Sequence, residues 1–405
     1  MTYYWLITVL GFTVAIILSL FIHRLTRDLF VFTNIFSLLW GASILINIWS
    51  LNGMIRVEPE TLTILFGAWW LLLIGALCIL QPYDKPMFAD KIDRKKTVYL
   101  FLFLIGAHLL AFSIEIASMG INLQDPVGSL AAARVNQDID LNAIPWFMQP
   151  FRNGYTFYIP LGVIMLRKGW ISGKLLAAVC VMGAITSLVF FTRGPLFKVI
   201  MTILVSLNAV FPKEQNRIIL ICGLLGLLGF LVFGYMQSVI DDVPAGQAGN
   251  GSQTQAFASY IGGPMLAYET ILEGNYLASE YGLYSFDIPN YILKKMGFIH
   301  DYTSLIREYM EFPIVTNVYT FLDCFTLDFG IAGAMAGALG IGMLAAAAYN
   351  LMKAKGSFFA IAGYSMVSYC LLMAIANNEF IRFSFFLFIF SSWIFDRYIA
   401  ADSDV

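Results

Sequence analysis

Apolar stretches of roughly 17–25 residues recur from one end of this sequence to the other, and that recurrence restricts what the chain can fold into. Each stretch matches the length needed to cross a hydrocarbon core about 30 Å thick. Within lipid no water satisfies backbone N–H and C=O groups, so each crossing must close its own hydrogen bonds, as a helix does. The expected fold class is all-α, a polytopic transmembrane helix bundle of about eleven spans. They fall at 3–22, 29–50, 61–80, 98–119, 148–166, 175–191, 195–211, 218–239, 329–352, 358–377 and 383–400. Composition agrees, because only 12% of the 405 residues are charged against 59% hydrophobic, about half the charge of an ordinary soluble chain.

Several function classes drop out. The net charge of −2 gives no reason to expect a nucleic-acid partner. The five cysteines (Cys78, Cys180, Cys222, Cys324 and Cys370) are scattered, and their spacing supports neither a metal site nor a disulfide framework. The first apolar segment, Tyr3 to Ile22, has no basic stretch before it and no small-residue cleavage site after it. It reads as the first span and not as a removable signal peptide.

Lysine and arginine set the expected orientation. His23 to Arg27, Lys85 to Lys96, Arg167 to Lys174, Lys213 to Arg217, Lys353 to Lys355 and Arg397 lie on one side, and together hold fifteen of the 24 Lys and Arg. That side is read as cytoplasmic, so the N-terminus faces outward and the C-terminus inward. Three regions follow: spans one to eight with an outer loop at 120–154 (1–239), a large outer loop (240–321), and spans nine to eleven (322–405). In the large loop, Pro244 to Gln255 has the composition of disorder, whereas Ala256 to Leu272 and Asp301 to Phe312 carry helical spacing and read as short amphipathic helices along the membrane face. No internal repeat is visible, which leaves an inverted-repeat transporter without support from symmetry.

The cytoplasmic connections are short and carry no glycine-rich phosphate loop. Chemistry is therefore expected on the outer side, with lipid-borne substrates. Six of the nine basic residues there are arginines: Arg56, Arg134, Arg152, Arg193, Arg307 and Arg382, against Lys198, Lys294 and Lys295. Arginine's planar fork binds phosphate oxygens through paired hydrogen bonds that lysine cannot match. The plain alternative is pairing with a carboxylate or anchoring at the headgroups, and Glu379 is placed to neutralise Arg382. As a group these arginines suit an anionic ligand such as a pyrophosphate.

Arg193 is the strongest single candidate, in the tight turn Thr192-Arg193-Gly194-Pro195 between two spans. Arg152 stands at the outer mouth of the fifth span and Arg134 among small residues. Glu115, Glu269, Asp323, Asp328 and Glu379 are candidate general bases, although a helix N-cap is the plainer reading of Asp328. His300 titrates near neutrality and is a further candidate base. His108, midway along a span, reads as a packed or hydrogen-bonded interhelical residue. Asp138 and Asp140 have too few ligands near them for a metal. The tyrosine-rich loop also suits stacking against sugar rings.

Three pieces carry a likeness to a known family: Phe191-Thr192-Arg193-Gly194, Tyr260-Ile261-Gly262-Gly263-Pro264, and Asn317-Val318-Tyr319-Thr320-Phe321 followed by Asp328-Phe329-Gly330. With the many spans and the late outer loop, the sequence resembles bacterial O-antigen and oligosaccharide repeat-unit polymerases, the Wzy family. The resemblance implies a membrane glycosyltransferase akin to the polytopic class C fold, in the bacterial inner membrane with its site facing the periplasm. Its donor and acceptor would both be oligosaccharides carried on undecaprenyl pyrophosphate. Arg193 would bind the pyrophosphate, with Arg134, Arg152, Arg307 and Arg382 in support. Glu269 or His300 would take the acceptor proton, and Tyr260, Asn317, Tyr319 and Asp328 would shape the site. Fixed arginines would stabilise the leaving group without a metal or cofactor. The implied partners are membrane lipids and a chain-length regulator. An O-antigen ligase, which moves the glycan to lipid A core, is the nearest alternative, and a lipid-linked oligosaccharide flippase is a more distant one.

Overall fold

The computed structural model describes residues 2–28, 31–49, 57–82, 92–118, 145–189, 193–218, 220, 223, 253–274, 282–298 and 318–401. They form an all-α membrane protein with no named β-strand among the described residues. Among the described residues, four helices are long and apolar enough to cross a bilayer: α1 (Thr2–Thr26), α3 (Pro59–Ile79), α4 (Arg94–Ser118) and α11 (Asp323–Lys355). The run from Gly194 through Val210 to Pro212–Ile218 adds a fifth if its 116° bend lies within one crossing. Other apolar helices are shorter: α2 (Phe32–Ile48), α6 (Tyr155–Arg167), α7 (Gly173–Val189), α12 (Phe358–Met373) and α13 (Phe383–Ile399). Of the expected spans, 218–239 lies almost wholly outside the described residues. The remaining elements are α5 (Gln149–Arg152), α8 (Arg193–Val210), α9 (Gln253–Glu273) and α10 (Asp287–Lys295).

The chain divides into two compact units. The first contains Met1–Asp84, Asn250–Leu351 and Cys370–Phe385. In it α1, α2 and α3 pack through aromatic rings: Phe12 meets Phe66 and Trp69 edge-on, and Phe36 stacks on Trp40. Their indole N–H groups bond between helices, Trp40 to the Leu65 carbonyl at 3.2 Å, Trp69 to Ser37 Oγ at 3.0 Å and Trp70 to the Gly11 carbonyl at 3.0 Å. A buried indole needs such a partner, and in lipid the need is sharper. α3 and α11 approach until their backbones touch. A Cβ on Gly342 would overlap the Leu72 carbonyl, and one on Gly75 the Leu339 carbonyl. Small residues permit that approach where lipid offers no hydrophobic drive for association.

α9 is where the sequence was expected to be helical within the long loop, and its bounds run to 21 residues. It packs along α2. Pro264 lies inside it and removes one helical N–H, and the two glycines before it weaken the same turn. α2 adds donors at this weakened turn: Ser43 Oγ donates to the Ile261 carbonyl at 2.5 Å and Asn47 Nδ2 to the Gly262 carbonyl at 3.0 Å. The proposed helix at Asp301 to Phe312 lies outside the described residues.

The second unit contains Lys85–Gly249, Met352–Tyr369 and Phe386–Val405. Its centre is α6, buried from Tyr155 to Met165 and packed on α4, α7 and α8. A helix that is hydrophobic all round belongs at the middle of a bundle. Phe157 stacks on Phe388 and meets Phe395 edge-on, which seats α13 against it.

Candidate functional site

In the second unit the candidate site is built on the break between α5 and α6. Arg152 ends α5, and Asn153 and Gly154 turn the chain into α6. The Arg152 fork grips Glu115 of α4: Nε donates to Oε2 at 3.1 Å and Nη2 pairs with Oε1. The Glu115 side chain is 3% exposed and that of Arg152 28%. The carboxylate is thus enclosed, while the arginine side chain is partly exposed. His108, two turns earlier on α4, fixes the same break. Its Nδ1 lies 3.0 Å from the Phe151 carbonyl and its Nε2 3.0 Å from Thr186 Oγ1 of α7. A carbonyl only accepts, so Nδ1 carries the hydrogen, and Nε2 shares a hydrogen bond with the threonine hydroxyl. His108 is the interhelical hydrogen-bonding residue that its place in a span suggested.

This break adjoins the start of α8. The Tyr155 hydroxyl is 2.8 Å from Asn153 Oδ1 and 3.3 Å from the Pro195 carbonyl, so it bridges the Arg152 turn to Arg193-Gly194-Pro195. Arg193 is the first residue of α8. A Cβ on Gly194 would come 3.3 Å from the Tyr369 hydroxyl, and one turn on, the buried Lys198 holds its ammonium 4.6 Å above the Tyr369 ring. The first turn of an 18-residue helix carries unpaired N–H groups and partial positive charge. The Arg152 turn and the buried Lys198 therefore lie by the helix start that opens on Arg193, with Glu115 as the enclosed counter-charge of Arg152. That arrangement favours an anion. Lys198 and Tyr369 were not singled out from the sequence. The available signal was a lysine one turn inside an apolar helix, where a charge needs a specific partner.

In the first unit, Glu269 is buried near the end of α9 and accepts the Glu58 N–H at 2.5 Å, just before α3. Burial lifts its carboxyl above the ordinary glutamate value, and the hydrogen bonds from Glu58 N–H and the Thr61 hydroxyl pull the other way. A lifted carboxyl is suited to take a proton near neutral pH. Its neighbour Tyr268 shares a 2.8 Å hydrogen bond with Thr326, and burial pushes its phenol up to about 12. Tyr319 is half-buried, and Arg382 makes a 3.2 Å ion pair with Glu379. Tyr260 lies on α9, and nothing further is described of it.

Asp328 does not cap its own helix. It lies inside α11, and its buried carboxylate accepts the Tyr284 N–H at 3.0 and 3.2 Å and the Ser285 N–H at 2.5 Å. Phe329 meets Phe286 edge-on at 6.2 Å. Gly330 breaks the helix at φ 67, ψ −164, a conformation open essentially to glycine alone. Asp328-Phe329-Gly330 is thus a structural device that pins the 282–286 turn. Nearby, the Phe321 N–H bonds to the Ala374 carbonyl at 2.9 Å and Asn378 Nδ2 to the Phe321 carbonyl at 3.2 Å, which ties Val318 to Phe321 down.

Of the residues named from sequence, Arg152 and Arg193 belong to one unit and share one neighbourhood. Glu269, Tyr260, Tyr319, Asp328 and Arg382 belong to the other unit. Arg134, His300, Arg307 and Asn317 lie outside the described residues. Comparisons with protein-family models, with curated proteins and with solved structures return no match to this chain.

Proposed function

We propose that the chain is a surface-polysaccharide polymerase of the O-antigen type, a membrane glycosyltransferase that joins lipid-pyrophosphate-linked oligosaccharide units at the periplasmic face. In this reading the chain crosses the inner membrane about eleven times with its N-terminus outward. The observation that carries it is the meeting of the Arg152 turn with the start of α8, which opens on Arg193 and holds Lys198 one turn on. α6 has 13 residues and rises about 20 Å. With Arg167 at the cytoplasmic face, the Arg152 turn is recessed from the outer side of a core about 30 Å thick. A recess that excludes bulk water strengthens each charge contact with a phosphate.

The reaction forms a bond between an acceptor hydroxyl oxygen and the anomeric carbon of the donor's reducing-end sugar. The bond from that carbon to the pyrophosphate oxygen breaks, and the electron pair leaves on undecaprenyl pyrophosphate. Arg193, Arg152 and Lys198 would hold the developing charge, and a general base would take the hydroxyl proton. Removing one such contact from a charged leaving group lowers rate about a hundredfold or more.

Arg193→Ala is expected to abolish long polymer ladders with unchanged protein in the membrane, and normal ladders would sink the proposed role. Gene deletion separates the readings. Loss of long chains with single units still attached to lipopolysaccharide supports a polymerase. Loss of all attached units with lipid-linked polymer accumulating points instead to a ligase.

A further inference from the structure

α10 turns its apolar side away from the protein. Pro289, Ile292, Leu293 and Met296 share one side at helical spacing, and all four are exposed, Met296 at 63%. Phe286 before the helix and Phe298 after it are exposed as well, Phe298 at 69%. Asn290 lies off that side, and its Nδ2 donates to the Gly282 and Leu283 carbonyls at 2.9 and 3.0 Å, so that side is tied to the turn leading into the helix. A soluble helix shows the reverse pattern.

The position of α10 is fixed as well as its rotation. Asp328 of α11 holds the turn that leads into it through the Tyr284 and Ser285 N–H groups. Phe286 meets Phe329, which is itself exposed, and Ile331 continues the exposed apolar surface along the spanning helix. The outward apolar face of α10 is thus continuous with the surface that α11 presents to lipid. Lys294 is exposed and Lys295 ends the helix.

We propose that α10 and its flanks, Phe286 to Phe298, form an interfacial anchor that lies in the headgroup region of the chain's own bilayer and binds anionic phospholipid. The apolar face enters the acyl boundary, and the Lys294-Lys295 end of the helix lies at the level of the phosphates, the arrangement of amphipathic helices that lie on membranes. Each lysine near an anionic surface adds a separate electrostatic contribution, so the pair favours docking about thirtyfold over a neutral surface.

The test is hydrogen–deuterium exchange of the segment 286–298 in the full-length protein, one copy per lipid nanodisc. Discs of phosphatidylethanolamine with phosphatidylglycerol are compared with discs of phosphatidylcholine alone. The expected result is slower exchange in the anionic discs, with that difference lost in Lys294→Gln/Lys295→Gln. Ile292→Gln/Met296→Gln is expected to speed exchange in both discs. Exchange in α3 and α11 serves as the control for folding. Equal rates in the two lipids, or an unchanged rate in the apolar double variant, would overturn the anchor. Protection present only in discs that hold two copies would overturn it too, and assign the face to contact between copies.

Discussion

The Arg152–Glu115 pair allows a double-mutant cycle whose magnitude follows from its geometry. Two opposite charges about 4 Å apart attract by about 4 kcal/mol at an effective dielectric near 20. Arg152 is 28% exposed, which brings the coupling down to about 2–3 kcal/mol. The two single changes should also differ. Arg152→Gln strands a carboxylate that is almost wholly enclosed, and an uncompensated buried charge costs about 3–5 kcal/mol. Glu115→Gln leaves a guanidinium that can turn toward the surface, so it should cost about 1–2 kcal/mol. The double variant should lose about 3 kcal/mol, less than Arg152→Gln alone and well below the sum of the two single losses. Equilibrium unfolding of the purified protein by sodium dodecyl sulfate in mixed micelles, followed by far-UV circular dichroism, measures all four proteins. Coupling below about 0.5 kcal/mol, or a Glu115→Gln loss as large as that of Arg152→Gln, would refute this account, since additivity marks groups that do not interact.

Other expectations follow from single contacts. Gly342→Leu should destabilise by about 3 kcal/mol or more and lower the melting temperature in detergent, because its Cβ would overlap the Leu72 carbonyl; an unchanged melting temperature would contradict the close approach of α3 and α11. Asp328→Ala should release the 282–286 turn and raise amide exchange there by at least tenfold, as it removes the acceptor for the Tyr284 and Ser285 N–H groups, with α1 to α3 unaffected. The Glu269 carboxyl is lifted from 4.5 on folding, so its contribution is fully present below the unfolded value and is lost as pH rises through the folded one. Wild-type stability should therefore decline over that acidic window, and Glu269→Gln should flatten the decline; an identical pH profile would exclude the burial of that carboxyl.

Much of the helical layout could be read from apolar run length, because lipid leaves a long apolar run little choice. Ten of the eleven expected segments coincide with described helices, including the span that holds His108. The partners of polar groups were less legible. Glu115 and Asp328 stood out as carboxylates suited to acid–base work, yet one holds Arg152 and the other holds the turn at Tyr284 and Ser285. Periodicity says which residues share a face of a helix, not which helix that face will meet. Lys198 shows the same limit: its partner Tyr369 lies 171 positions away in the chain, and only packing reveals it. The glycines of Tyr260-Ile261-Gly262-Gly263-Pro264 could suggest a binding loop, whereas the Ile261 and Gly262 carbonyls are engaged by α2.

The tryptophan bonds among α1, α2 and α3 have a consequence for how the chain is made. Trp40 on α2 donates to α3, and Trp69 and Trp70 on α3 donate back to α2 and α1. An indole N–H in hydrocarbon without an acceptor is costly. As the chain leaves the ribosome, the first two helices enter lipid with Trp40 still lacking its acceptor. α3 then brings that acceptor and, in the same step, two donors whose partners are already in place. The third helix is thus the closing member of this group, and synthesis must pass Leu65 before any of the three indoles has its partner.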